Sequence, residues 1–227
     1  MQGLLVARQY FNRETPQEAE IRSTITVFWN TVEWDWYRNG PDPNFLYWHW
    51  SPDAGFYIHH PLIGWNETMI INLLAIASPT HAVPASLYYT GWASQSDTAV
   101  RYRQGRGRTT QGDHYTNGNT YYGHKLDVGV GNGGELFFTH YSFMAFDPRG
   151  KRDRYTNYFH NNRNIALISH DYSIENPRHF KGYGDNALGP FRRSEPRLAA
   201  GSCRATTMAR SHAQQRWLLS RTPRKNR

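Results

Sequence analysis

The chain has 227 residues, a formal net charge of +8 and a single cysteine, Cys203. This length corresponds to one domain or part of a larger one, and one cysteine excludes an internal disulfide framework and a cysteine-ligated zinc site. No apolar run approaches the roughly 18 residues that a membrane-spanning helix requires, so we expect no membrane segment.

Residues 1–32 predict two helices. The first, MQGLLVARQYF, has helical spacing and lacks the basic and apolar regions of a signal peptide. The second opens with a capping box, in which Thr15 is the N-cap, Pro16 takes the first helical position and Glu18 reaches back to the cap. Its apolar stripe consists of Ile21, Ile25, Phe28, Trp29 and Val32.

An aromatic segment follows, FLYWHWSPDAGFYIHHPLIGW, at residues 45–65. Its Pro and Gly residues predict loops and short strands rather than a helix. Flat rings stack on the apolar faces of pyranoses, while indole and imidazole groups bond hydroxyls, so the segment is typical of a sugar-binding cleft. The alternative is an aromatic core, since large rings are often mostly buried. Three histidines and an aspartate in the same segment favour the cleft.

The next segment, GWNETMIINLLAIASPTH, predicts a helix with Asn66 as its N-cap. It ends at Ser78, because Pro79 disfavours helix at the residue before it. Glu67 at its head has two interpretations. It stabilises the helix dipole by about 0.3–1 kcal/mol, or it faces a cleft as a functional carboxylate.

The rest of the chain predicts an all-α domain whose site lies on loops. Residues 93–134 predict a Gly-rich loop with one short hairpin, in which the basic stretch RYRQGRGR is a solvated loop. Helices are predicted at about 135–146 and from about 153 to just before Pro177. GVGNGG matches a dinucleotide fingerprint but lacks the preceding strand. The histidines have no metal-ligand spacing, so we expect no metal or cofactor.

The positive charge lies at the C-terminal end. Residues 187–227 contain ten Arg or Lys and one Glu, a balance of +9, which leaves −1 for residues 1–186. We therefore expect no nucleic-acid binding by the body of the protein. The tail has few large apolar residues, so we expect it to be disordered.

Five blocks resemble the bacterial glucoamylase-like (glycoamylase-like) family, which is related to the endo-β-1,2-glucanases and to the glycoamylase-like region of cyclic β-1,2-glucan synthases. The blocks are YWHWSPDAGF, HPLIGWNETMIINLLAIASPTH, LFFTHYSFMAFDPRG, YTNYFHNNRNIALI and ENPRHFKGYGDN. The match covers nearly all of residues 1–186, and the blocks stand in the family's order. The resemblance implies that this part is a partial catalytic domain.

The family fold is an (α/α)6 toroid, so we expect part of one, with five or six helical segments. The resemblance implies hydrolysis of a glucan, with β-1,2-glucan favoured and an inverting mechanism, without a cofactor. It favours a periplasmic or exported protein. The family's essential acidic residue in an Asn-Glu pair falls on Glu67, which would then be catalytic as well as capping.

The resemblance and the aromatic segment together predict the residues that contact the sugar. These are Trp48, His49, Trp50, His60, Trp65, Asn66, His140, Tyr141, Ser142 and Arg163. Arg163 has an alternative role, because NNRN could equally cap or cross-link helices.

Two departures from the family pattern leave alternatives open. An inverting glycosidase needs two carboxyl groups roughly 6.5–9.5 Å apart, and the family's further acids lie upstream of ARQYF, before Met1. Asp35, Asp53 and Asp147 remain as candidates for the second carboxylate. The chain is therefore either a glycoside hydrolase or a non-catalytic carbohydrate-binding remnant.

The second departure is the tail, where the family continues after GYGDN with a Trp-Gly-Leu-Ser/Thr-Ala block. Residues 188–193 can be read one frame over as Trp-Gly-Leu-Ser-Ala, so we expect a frameshift from about Ala187 onward. A natural basic extension is the alternative.

Overall fold

The computed structural model describes residues 1–185, and helices dominate this part of the chain. The six described α-helices are α1 (Gln2–Tyr10), α2 (Pro16–Thr31), α3 (Met69–Ala77), α4 (Asp97–Gly107), α5 (Leu136–Phe143) and α6 (Tyr158–Glu175). A single hairpin joins β1 (Thr120–Tyr121) to β2 (His124–Lys125). The predictions of disorder and of a frameshift for 187–227 lie outside the described residues.

Helices α1 and α2 pack against each other and confirm the first two predicted helices. Thr15 caps α2 by accepting the N–H of Glu18 at 3.3 Å. The carboxylate of Glu18 accepts the N–H of Arg13 at 2.8 Å rather than that of Thr15, so only half of the capping box forms. The apolar stripe is narrower than predicted: Ile25 and Trp29 are buried, whereas Phe28 is 51% exposed.

Helix α3 begins later than the sequence predicts. The expected N-cap, Asn66, instead forms a turn ahead of the helix, where its Oδ1 accepts the N–H of Thr68 at 3.0 Å and the Thr68 hydroxyl at 2.6 Å. Thr68 takes the N-cap position. Glu67 therefore lies in the turn before α3, and its placement in the first helical turn is wrong. The predicted end at Ser78 is confirmed.

Helix α4 was missed by the sequence prediction, which placed residues 93–134 in a loop. The stretch RYRQGRGR is helical up to Gly107, so its interpretation as a loop is wrong. The Ser96 hydroxyl caps the helix by accepting the N–H of Ala99 at 3.4 Å. Two glycines in this stretch have low helix propensity, so the sequence does not predict the helix. Burial of Arg103 on the inner face of the helix overrides this low propensity.

The remaining predictions hold with shorter bounds. The hairpin is confirmed, and its turn places Tyr122 and Gly123 at φ 51° and 78°, as a two-residue hairpin turn requires. Helix α5 ends at Phe143, a few residues early. Helix α6 starts after the predicted 153, because the Asp153 carboxylate binds the N–H groups of Tyr155 and Thr156 in a turn before it.

Two of the three hydrophobic cores in residues 1–185 hold most of these elements. The main core packs α3, α5 and α6 around fully buried residues that include Trp92, Leu126, Val128, Ile165 and Ile168. A second core joins α2 to the base of the aromatic segment through Trp29, Trp34, Leu46 and Leu62. Among residues 1–185, no helix has the length and apolar character to cross a membrane.

Candidate active site

The aromatic loop, residues 45–65, doubles back on itself from a buried base. Leu46 and Leu62 are buried, and the N–H of Leu62 donates to the carbonyl of Leu46 at 2.7 Å. Two residues further out, the N–H of Trp48 donates to the carbonyl of His60 at 2.9 Å. The backbone pairing therefore brings the rings of Trp48 and His60 together, with centroids 6.1 Å apart.

The outer side of this loop presents aromatic rings to solvent. Trp48 is 58% exposed and its ring lies 5.9 Å from that of His49. Trp50 is 37% exposed and meets Trp36 edge to face at 5.9 Å. Sequence reasoning missed Trp36, although its place in the aromatic stretch VEWDWY was a usable signal. The outer part of the loop thus forms an exposed wall of rings, whereas Phe45, Tyr47 and Trp65 of the same segment are buried in the core.

His60 connects this wall to α4 and to Glu67. Its Nε2 lies 3.2 Å from the Tyr102 hydroxyl, and its Nδ1 accepts from the Arg106 guanidinium at 3.4 Å. Burial lowers the pKa of His60, and the charge of Arg106 lowers it further. The carboxylate of Glu67 has a smaller effect in the opposite direction on this pKa.

Ser142 holds the backbone that carries Glu67. Its buried hydroxyl donates to the Glu67 carbonyl at 2.9 Å and accepts the N–H of Ile70 at 3.2 Å. The Gln2 amide in turn donates to the carbonyls of Tyr141 and Ser142 at 3.1 and 3.2 Å. These contacts bind α1 and the C-terminal end of α5 to the start of α3. The predicted sugar contact Ser142 therefore also positions Glu67.

Arg103 fixes the same loop from the other side. It is 1% exposed, and its guanidinium donates to the carbonyls of Gly64, Ser94 at 2.8 Å, Asp113 at 3.3 Å and Trp92 at 3.5 Å. Burial lowers the pKa of Arg103 to about 10, so the side chain keeps its charge at neutral pH. Sequence reasoning missed this residue, because a helical Arg beside glycines resembles a solvated one.

Beside Trp65 lies a buried group of phenols, the tyrosine cluster, made of Tyr88, Tyr115 and Tyr158. The Tyr158 hydroxyl donates to Asp153 at 2.7 Å and lies 3.0 Å from that of Tyr115. Tyr88 and Tyr158 also share a hydrogen bond. Burial raises the pKa of Tyr115 to about 12, so the cluster stays neutral.

Trp65 is stacked on this cluster rather than on the exposed wall. It is 5% exposed, and its ring is nearly parallel to that of Tyr158 at 6.2 Å. Its Nε1 is buried and has no hydrogen-bond partner among residues 1–185. Trp65 thus has an indole N–H without a partner among the described residues, two positions before Glu67 in the sequence.

The other predicted sugar contacts lie on α5 and α6. Tyr141 is 58% exposed at the end of α5, beside half-buried His140, whose pKa burial lowers. Arg163 is exposed on α6. It points about 140° around the helix axis from Tyr158, since each residue turns by about 100°. The contacts that gather around Trp65 therefore lie on another face of α6.

The three candidates for a second carboxylate are placed differently. Asp35 lies 3.3 Å from His81. Asp53 is exposed in the turn between Ser51 and Gly55. Asp147 binds Arg149 through both oxygens, and these hydrogen bonds lower its pKa to about 2. So low a pKa makes Asp147 a weak base near neutral pH.

The family of the chain follows from its sequence. Residues 59–191, more than half of the chain, match the Glycoamylase family model ("Putative glucoamylase"). The chain therefore belongs to the glycoamylase family, as its five blocks predict.

Its relatives are considerably longer. The chain is 53% identical over 188 residues to the exo-β-1,2-glucooligosaccharide sophorohydrolase (non-reducing end) of Parabacteroides distasonis. The aligned part is 83% of this chain and 26% of that protein. The crystal structure of a β-1,2-glucanase from Parabacteroides distasonis superimposes with a TM-score of 0.78 at 54% identity, over 81% of this chain and 26% of that one. The endo-β-1,2-glucanase of Chitinophaga pinensis, complexed with sophorotriose and glucose, has a TM-score of 0.68 at 41% identity, over 81% of this chain and 40% of that one. The chain thus spans about a quarter of its curated relative.

Proposed function

We propose that the chain forms part of a glycoside hydrolase acting on β-1,2-linked glucan, with Glu67 as a catalytic carboxylate. The observation that carries this proposal is the position of Glu67, in the turn that joins the aromatic loop to α3, where Ser142 holds its backbone. The relatives support the linkage, because the similar proteins of known activity act on β-1,2-glucans or their oligosaccharides.

The fold proposed for the whole domain is the (α/α)6 toroid. Two connections support it within the described residues. Ser142 at the end of α5 binds the start of α3, and Gln2 at the start of α1 binds the same end of α5. The end of α5 thus lies beside the starts of α1 and α3, as neighbouring antiparallel helices of a toroid do.

The proposed roles follow from the chemistry of each side chain. Trp48 and Trp50 stack on sugar faces, while His49 and His60 bond hydroxyls. Glu67 acts as one of the two carboxyl groups of an inverting hydrolase, which stand roughly 6.5–9.5 Å apart across the scissile bond. The contacts described above do not favour Asp35, Asp53 or Asp147, so we propose none of them as the second carboxyl group.

The test compares the glycoside hydrolase of which the chain forms part, with its second carboxylate in place, with its Glu67→Gln variant on linear β-1,2-glucan. We expect the parent protein to release short oligosaccharides and the variant to lose at least about a hundredfold in rate, the scale of a lost general acid or base. Glu20→Gln, which changes an exposed carboxylate on α2, is the matched control and should keep full activity. A Glu67→Gln variant that hydrolyses glucan at the control rate would refute the assignment.

A second function, sugar binding without hydrolysis, is favoured by the contacts that two of the candidate second carboxylates make with other side chains. Asp35 lies against His81 and Asp147 is bound by Arg149. In this case calorimetry detects binding of β-1,2-gluco-oligosaccharides by the chain, and no product forms on long incubation. Turnover by the chain would exclude this function.

A further inference from the structure

A groove of about 390 Å³ lies where α2 ends and the aromatic loop passes over it. It is lined by Thr31, Val32, Glu33, Trp36, Tyr37 and Trp50. Its volume is at the lower end of the range typical of small-molecule sites, about 300–1,000 Å³. Only Trp50 among its residues was a predicted sugar contact.

Two indoles form the walls of this groove. The rings of Trp36 and Trp50 stand 84° apart with centroids 5.9 Å from each other, so they make a nearly right-angled corner. Trp36 is 43% exposed and Trp50 37%, so neither ring is covered by the described part of the protein. A corner of exposed indoles offers two apolar faces to a flat ligand with C–H groups on its faces.

The groove also holds polar groups that have spare bonding capacity. Glu33 is exposed, and its carboxylate makes no hydrogen bond or ion pair within residues 1–185. The Thr31 hydroxyl donates to the carbonyl of Phe28 at 3.2 Å and keeps lone pairs to accept with. A carboxylate accepts two hydrogen bonds side by side, which suits a pair of neighbouring hydroxyls.

The position of the groove connects it to the aromatic wall. Trp50 lies two residues after Trp48, and two residues of extended chain span at most about 7 Å. The groove and Trp48 are therefore neighbours on the same loop. A ligand of several linked rings that rests on Trp48 can reach the groove.

We propose that the groove beside Trp36 and Trp50 is a further glucosyl-binding subsite, in which one indole stacks on a face of a sugar unit, the perpendicular indole contacts its edge and Glu33 accepts hydrogen bonds from its hydroxyls. This inference rests on the proposed function, since it takes the ligand to be a β-1,2-glucan chain. It assigns the subsite to binding alone. The groove should then strengthen binding of long oligosaccharides and not of the disaccharide.

Calorimetry with the chain tests this by comparing sophorose with longer linear β-1,2-gluco-oligosaccharides. We expect Trp36→Ala to weaken binding of the longer ligands about tenfold, equivalent to about 1.4 kcal/mol, and to leave sophorose binding unchanged. Phe28→Ala is the matched control, because Phe28 is an exposed aromatic residue on α2 that does not line the groove. Glu33→Ala removes an exposed side chain and gives the same selective loss if Trp36→Ala unfolds.

The outcomes separate the two proposals. Trp36→Ala and Glu33→Ala variants that bind long ligands as tightly as the parent chain would overturn the subsite while leaving the proposed function intact. A parent chain that binds no β-1,2-glucan of any length would overturn both. Indole corners beside a carboxylate also suit quaternary ammonium ions, so choline binding that Trp36→Ala abolishes, without a loss for long glucans, would assign the groove to that ligand instead.

Discussion

The aromatic loop and the tyrosine cluster meet at Trp65, and both are rich in rings that carry polar tips. In the tyrosine cluster, the hydroxyl of Tyr158 bonds those of its two neighbours and Asp153, so the polar tips satisfy one another. In the loop, Trp48 and Trp50 leave their rings in solvent. The same composition thus forms a buried support in one region and, in the other, an exposed surface that we propose binds sugar. The two regions differ in whether the polar tips of the rings are buried.

The two regions are physically joined at Gly64. Arg103 donates to the Gly64 carbonyl from inside the protein and binds the segments around Ser94 and Asp113 with the same guanidinium. Glu67 follows three residues later. The buried region therefore sets the position of the loop end that carries the proposed catalytic residue.

The largest effect is expected for Arg103→Met. It removes the donor of the Gly64, Ser94 and Asp113 carbonyls, each costing about 1–3 kcal/mol, so we expect the free energy of unfolding to fall by about 3 kcal/mol or more. Urea denaturation measures this. Arg106→Met is the control on the same helix, because Arg106 is exposed and its loss should cost no more than about 0.5 kcal/mol. Equal losses in the two variants would contradict the division into a supporting and a recognising region.

Tyr158→Phe is expected to have the next largest effect. The change keeps the ring against Trp65 and removes the hydroxyl that joins Asp153 to the tyrosine cluster. Unsatisfied buried partners should lower the free energy of unfolding by about 1–3 kcal/mol. Tyr57→Phe makes the same chemical change at a residue that is 78% exposed, and thermal and urea unfolding should show almost no change. A stable Tyr158→Phe protein would mean that the buried hydroxyls contribute little.

Local signals predicted most of the helices. Thr15 and Pro16 mark the start of α2, and Pro177 marks the end of α6, because caps and prolines act over a few residues. Helix α4 was hidden, since Gly105 and Gly107 lower the local propensity and only tertiary burial of Arg103 compensates.

The candidate site was predictable only in its exposed half. Trp48 and His60 are close in sequence to Glu67, so composition could group them. The tyrosine cluster unites Tyr88, Tyr115 and Tyr158, which are separated by 27 and 43 residues, and no local pattern connects them. Sequence reasoning therefore groups the exposed residues of the proposed site and misses the buried residues that hold them in place.

A smaller effect concerns the charge state of His60. Burial first and Arg106 second lower its pKa below the ordinary 6.5. The unfolded chain therefore takes up this proton before the folded one. The contribution of His60 to stability is present above about pH 6.5 and is lost as the pH falls through the folded pKa. His60→Gln should flatten this part of the stability profile, as measured by urea denaturation at several pH values.

The pKa of His60 also tests whether Glu67 belongs with the aromatic loop. Arg106→Met removes a nearby positive charge and should raise the pKa, whereas Glu67→Gln removes a negative charge and should lower it. Titration of the ring C–H signals by NMR measures both shifts on the folded protein. Glu20→Gln, on the exposed side of α2, should leave the titration unchanged. If Glu67→Gln leaves it unchanged as well, the electrostatic interaction between Glu67 and His60 is contradicted.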